Sequence, residues 1–197
     1  SVSVIYCHGY RYFEKDKSKI KEKYQSVKGY VFKDYLLKGD VVIPISPLVK
    51  RYCYEIIGLN NPWTGSEYDF FMMSQYVDFD YVDDYLVVMR DHDNNDAKNT
   101  LSVYERMKRF HDVALQNPNT KLRGGRFIDK RVATDLLSFG LEFISIMDIK
   151  RGRNAIIESI KRYPMYIFRV KAILSIILSF FPASAVSFFL RINKLTK

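Results

Sequence analysis

The chain changes texture once, between Arg90 and Thr100, and that break limits its fold more than any other feature. Before it, short β-rich and helical runs alternate, which predicts an α/β region; after it, every long segment repeats its apolar residues at helical spacing. Val2, Val4 and Tyr6 alternate with Ser1, Ser3 and Ile5 as a strand that Tyr10 to Phe13 continues or pairs with across Gly9. The charged run from Glu14 to Lys23 reads as a solvated loop or hairpin tip. Val31, Phe32, Tyr35 and Leu36 stand at helical spacing up to Gly39. Val41 to Ile45 reads as a short strand, Arg51 to Ile57 as a helix closed by Gly58, and residues 60–65 as a loop. Ser66 is then the expected N-cap of a helix carrying Phe70, Phe71 and Met73. Phe79 to Val82 and Tyr85 to Arg90 read as two strands with an acidic Asp83-Asp84 turn between them. Past the break, Leu101, Tyr104, Met107 and Phe110 form one helical stripe, and Leu136, Leu137, Leu141, Phe143 and Ile144 another. Ala155, Ile156, Ile160 and Tyr163 form a third, with a helical hairpin around Met147-Asp148-Ile149.

Charge divides at the same place. The net charge is +9, yet residues 1–99 hold 13 Lys and Arg against 15 Asp and Glu, while residues 100–197 hold 18 against 7. The basicity belongs to the helical half and points to an anionic partner. That half has no recognisable nucleic-acid reading motif, so nucleic acid is not the expected one. With 48% hydrophobic residues in 197, disorder is excluded as the main state. The two cysteines, Cys7 and Cys53, support neither a disulfide framework nor a thiolate zinc site.

Near the C-terminus, Ala172 to Leu190 is an uncharged run of 19 residues, about 28 Å as a helix and close to a bilayer's hydrocarbon thickness. Pro182 interrupts it. Lys171, Ser175 and Ser179 repeat at helical spacing on one side of the proline; Ser184, Ser187, Arg191 and Lys194 do so on the other. Two short amphipathic helices lying in an anionic membrane interface fit this pattern best. A single transmembrane span and packing against protein are the other readings. The segments are thus 1–98, 99–163 as a helical extension, and 164–197 as membrane-associating helices.

Several short motifs fail as sites. Asp78-Phe79-Asp80 has the letters of a metal-diphosphate motif but reads as part of a solvated acidic turn. The run Asp91 to Asp96 lacks the sixth-position Gly and twelfth-position Glu of a calcium loop. Gly124-Gly125-Arg126 reads as a turn, and His8 and His111 as surface or hydrogen-bonded core histidines. More specific is Gly65-Ser66-Glu67-Tyr68-Asp69-Phe70-Phe71, which puts carboxylates at a helix start just after a glycine-containing loop. The helix dipole favours an ionised carboxylate there, although such residues are also ordinary stabilising caps.

In order, Gly58-Leu59-Asn60-Asn61, Gly65 to Phe71, Tyr81-Val82-Asp83-Asp84-Tyr85-Leu86 and Arg90-Asp91-His92-Asp93-Asn94-Asn95 resemble the second half of family 2 glycosyltransferases. Tyr6 to Tyr10, the Val31 to Gly39 helix and Pro44 to Arg51 also sit where that family places them. The resemblance covers roughly residues 1–98. It implies a partial GT-A (nucleotide-diphospho-sugar transferase) domain lacking its N-terminal nucleotide-binding half, followed by an α-helical C-terminal region. It further implies inverting transfer of a sugar from a nucleotide-diphosphate donor to a glycan or lipid-linked acceptor, in bacterial surface polysaccharide synthesis. Glu67 takes the position of the family's general base, with Ser66 where a Glu is usual, and Asp69 is a second candidate. Trp63 and Arg90 are implied as substrate contacts and His92 as a ligand of a divalent Mg or Mn ion. The family's main Asp-x-Asp ligands are absent from this chain, so the resemblance implies a fragment of a full enzyme, the product of a truncated or split gene, or a chain that works beside a separate N-terminal half. The expected location is cytoplasmic, peripheral to the inner face of the cell membrane. The alternative reading is a non-catalytic peripheral membrane or interaction module derived from such an enzyme.

Overall fold

The computed structural model describes residues 1–42, 45–58, 66–168, 173, 176, 177 and 180. It divides into two compact units, Ser1–Gly125 and a second beginning at Arg126. The first unit is mixed α/β and takes in the helices of residues 100–124, so the division falls later than residue 98. Its elements are β1 (Val2–Phe13), β2 (Lys19–Glu22), α1 (Phe32–Lys38), β3 (Leu48–Val49), α2 (Tyr52–Ile57), α3 (Ser66–Met73), β4 (Asp78–Asp91), a 3-10 turn at Asp96–Lys98, α4 (Thr100–Gln116) and α5 (Pro118–Gly124).

β1 is the centre of a four-stranded mixed sheet. β4 runs parallel to it from Val2 opposite Asp78 to Phe13 opposite Asp91. β2 and β3 share the other edge, both antiparallel, with Gly9 opposite Glu22 and Val4 opposite Val49. A parallel pair needs a long crossover, which residues 14–77 supply. The alternation of β1 places Val4, Tyr6 and His8 on one buried face. Phe79 of β4, Tyr35 of α1 and Phe71 of α3 pack there, with Tyr35–Phe71 and Tyr35–Phe79 ring centroids 6.2 and 6.4 Å apart. Phe110 of α4 closes on Phe71 at 5.2 Å. Each such ring, fully buried, stabilises the unit by about 1.5–3 kcal/mol relative to exposure.

Tyr10 to Phe13 continues β1 past Gly9 rather than forming a second strand. The Glu14 to Lys23 run is a hairpin: Phe13 N–H donates to the Ser18 carbonyl at 2.9 Å and β2 returns along β1. Val41 and Val42 are core residues without strand pairing, which corrects the expected strand there; Ile43 and Pro44 lie outside the described residues. The pairing at that end of β1 is made instead by Leu48 and Val49. Phe79 to Arg90 is one strand and not two. Cys7 stands opposite Val82 and His8 opposite Tyr85, so Asp83 and Asp84 bulge out of a continuous ladder instead of turning the chain. Asp78 to Asp80 is likewise strand, pinned by reciprocal backbone bonds between Gly29 and Phe79 at 2.7 and 2.9 Å.

The second unit is built on a helical hairpin, α6 (Arg126–Ser145) and α7 (Ile149–Arg162), followed by a 3-10 helix at Pro164–Phe168. The expected turn at Met147-Asp148-Ile149 is present: Met147 has a φ of 67°, and Asp148 caps α7 by accepting the Arg151 N–H at 3.2 Å. Ala133, Leu137, Ile144, Ile156 and Tyr166 form its core. Among the described residues no helix is long and apolar enough to cross a membrane. The stretch 172–190, apart from residues 173, 176, 177 and 180, lies outside the described residues, as does Trp63.

Candidate active site

α3 begins at Ser66, directly after the undescribed residues 59–65. Phe70, Phe71, Met72 and Met73 bury its second half, which fixes the helix on the sheet and leaves Glu67 and Asp69 in its first turn. Two residues apart on a helix, these carboxylates leave on different sides. Asp69 faces inward and is 3% exposed. Burial, reinforced by the neighbouring Glu67 charge, pushes its pKa up to about 6. The same carboxylate raises the pKa of Tyr54 in α2 and of Tyr68, behind the larger effect of burial on each phenol.

Glu67 is half-buried and lines a cavity of about 120 Å³ with Asp40, Val103, Arg106, Met107 and Phe110. That space holds a few water molecules or one small polar group, below the roughly 300–1,000 Å³ of a pocket for a drug-sized ligand. Arg106 of α4 brings its guanidinium to 3.9 Å from Glu67 Oε1. Val103, Met107 and Phe110 stand at i, i+4 and i+7 on the side of α4 that meets α3. Helical spacing marks that stripe, but nothing in the sequence marks Arg106 or Asp40 as neighbours of Glu67.

Arg90 and His92 lie at the far end of β4. The Arg90 guanidinium is committed to Glu14, with Nε donating at 2.8 Å, and this holds the Glu14 carboxyl below its ordinary pKa. Asp91 pairs with Lys98 at 2.7 Å and with Arg11 at 3.4 Å, which lowers its pKa in the same way. His92 lines an open cavity of about 510 Å³ with Phe13, Glu14, Asp16, Asp93 and Lys98. Glu67 and His92 therefore line different cavities. The surroundings of His92 do not suit a metal: the adjacent Asp91 is neutralised by two cations, and Asp93 stands 3.6 Å from Lys98. Among the described residues no three His, Cys, Asp or Glu side chains converge on one point.

His8 is a hydrogen-bonded core histidine. Its Nδ1 accepts the Tyr24 N–H at 3.2 Å, so its Nε2 carries the proton and donates to Asp83 at 3.0 Å. Comparison of the chain with protein-family models, curated proteins and solved structures gives no match.

Proposed function

We propose that this chain is the acceptor-side portion of an inverting, nucleotide-sugar-dependent glycosyltransferase of the GT-A type. The observation that carries the reading is Glu67, a half-buried carboxylate at the start of α3, opening into a small cavity that Asp40 and Arg106 line together with the apolar Val103, Met107 and Phe110. In this reading Glu67 accepts the proton of an acceptor hydroxyl as that oxygen attacks the anomeric carbon and the nucleoside diphosphate leaves. The cavity is sized for the attacking group and not for the whole sugar. Arg106 orients the carboxylate, and Asp69, which faces inward, takes no part in the step. The mixed sheet with its parallel β1–β4 pair is compatible with a partial GT-A domain.

Donor binding is assigned to residues other than these. Asp78 and Asp80 flank a wholly buried Phe79 within β4, and Asp80 Oδ1 is occupied by the Tyr81 N–H at 2.8 Å, so they do not present a diphosphate grip. No step is routed through a metal at His92. We further propose that the protein lies peripherally at the cytoplasmic face of the membrane; the exposed Met165, Ile167 and Phe168, directly after the basic Lys161 and Arg162, support the peripheral contact.

The test is sugar transfer by the chain supplied with its donor-binding half. Glu67→Gln should lower turnover by about 10²–10⁴-fold while donor binding stays within about twofold, as expected for loss of a general base. Unimpaired transfer would remove Glu67 from the role. The second reading, a non-catalytic interaction module, is favoured by the commitment of Arg90 and Asp91 to internal ion pairs. It predicts no transfer by the unmodified protein under the same conditions.

A further inference from the structure

β2 carries a feature that neither the fold nor the proposed reaction uses. Lys15, Lys17, Lys19, Lys21 and Lys23 occupy every second position of the 14–23 run, and within β2 that period puts Lys19 and Lys21 on one face. Glu22 turns to the opposite face, where it pairs with Arg11 at 2.8 Å. Lys19 and Lys21 have no carboxylate partner among the described residues. Instead each lies on a tyrosine ring, Lys19 Nζ 3.8 Å from the Tyr10 centroid and Lys21 Nζ 4.9 Å from that of Tyr85. The rings support one another, Tyr10 to Tyr85 at 5.4 Å and Tyr85 to the buried His8 at 5.5 Å. Lys23 ends the row 3.1 Å from Asp83, the carboxylate at its inner end, which also accepts from His8.

The physical consequence is pre-placement. A lysine stem laid over an aromatic ring gives up rotamer freedom before any ligand arrives, and attraction to the ring holds the ammonium where it is without neutralising it. Lys19 and Lys21 thus present positive charge on a half-aromatic face. An ammonium sits over one face of each ring, and the two rings lie against each other, which leaves less ring face for stacking bases, the contact that single-stranded nucleic acids depend on. What remains exposed suits a ligand rich in hydroxyls and negative charge.

We propose that the Lys19–Lys21 face of β2, backed by Tyr10 and Tyr85, is a contact surface for an anionic polysaccharide. As the place where an acceptor glycan lies, it rests on the transferase reading; as a binding surface it stands without it.

The experiment is a calorimetric titration of the intact chain with polygalacturonate, with neutral dextran of similar length, and with a single-stranded oligonucleotide of similar charge. Polygalacturonate should bind and dextran should not. Lys19→Gln/Lys21→Gln should weaken binding about tenfold, equivalent to about 1.4 kcal/mol. Lys19→Arg/Lys21→Arg should keep it, and so should Lys28→Gln/Lys33→Gln, which removes the same charge from exposed lysines elsewhere in this unit. Circular dichroism establishes that each variant is folded. The proposal is overturned if polygalacturonate does not bind, if the two Gln pairs weaken binding equally, or if the oligonucleotide binds more tightly. Polysaccharide binding by the chain, together with no transfer when the chain is supplied with its donor-binding half, would sink the reaction proposed for Glu67 and leave this surface standing. Transfer without polysaccharide binding would do the reverse.

Discussion

Asp69 and Glu67 share one turn of helix and differ in what surrounds them. Asp69 is buried, and its folded pKa of about 6 lies above the ordinary carboxylate value of 3.8. A raised acid pKa means that the native state binds the proton more tightly than the unfolded chain. Stability is therefore greatest below the unfolded pKa and falls as pH rises from about 4 through about 6. Asp69→Asn, which cannot ionise, should be more stable than the parent by about 1–2 kcal/mol at pH 8, after allowance for solvent screening, and should show no gain at pH 4. Denaturant unfolding at the two pH values checks this; a loss of stability at both would show that burial of the charge is not what sets the stability here. The Gly65 to Phe71 pattern makes these two carboxylates legible as a pair. Which one is buried is not legible, because that depends on the angle at which α3 meets the sheet. Arg106 is invisible for the same reason, since it lies 33 residues beyond the end of α3.

At the scale of elements, the helical stripes of α6 and α7 follow directly from spacing, and so do the helix stops at Gly39 and Gly58, with φ of 96° and 81°. Spacing does not show how closely α6 and α7 approach. A Cβ at Gly140 would stand 2.5 Å from Ile156 Cγ1 and 3.0 Å from the Gly152 carbonyl; one at Gly152 would stand 2.6 Å from Ile144 Cγ1 and 2.8 Å from the Gly140 carbonyl. The carbonyls cannot rotate away as a side-chain tip can. Gly140→Ala and Gly152→Ala should each destabilise this unit by about 1–3 kcal/mol despite alanine's better helix propensity. Thermal unfolding checks it, and an unchanged or raised midpoint would mean that the helices separate at little cost. β4 shows the opposite case. Its acidic Asp83-Asp84 pair has the composition of a turn, but β1 offers a continuous parallel partner, and extending the ladder past a bulge satisfies more backbone groups than ending it.

At the scale of the whole molecule, the two units carry different work in the proposed function: the sheet unit the chemistry, the helical unit the membrane. The exposed Met165, Ile167 and Phe168 are candidates for burial in a lipid interface. Replacing Ile167 and Phe168 together by Ser should lower sedimentation with anionic vesicles at least tenfold, since each buried apolar side chain contributes about 1.5–3 kcal/mol. Unchanged sedimentation would remove this patch from membrane binding. The sequence by itself determined the α/β-to-helical change after Arg90, most of the helices, the charge asymmetry and the carboxylates that open α3, because these depend on near neighbours and on periods of about 2 and 3.6 residues. Only the tertiary structure decided the parallel β1–β4 pairing, the place of α4 and α5 with the sheet, the burial of Asp69, the approach of Arg106 to Glu67 and the seating of Lys19 and Lys21 on Tyr10 and Tyr85. Each joins residues distant along the chain, where the outcome is set by which surfaces exclude water together and not by any local preference.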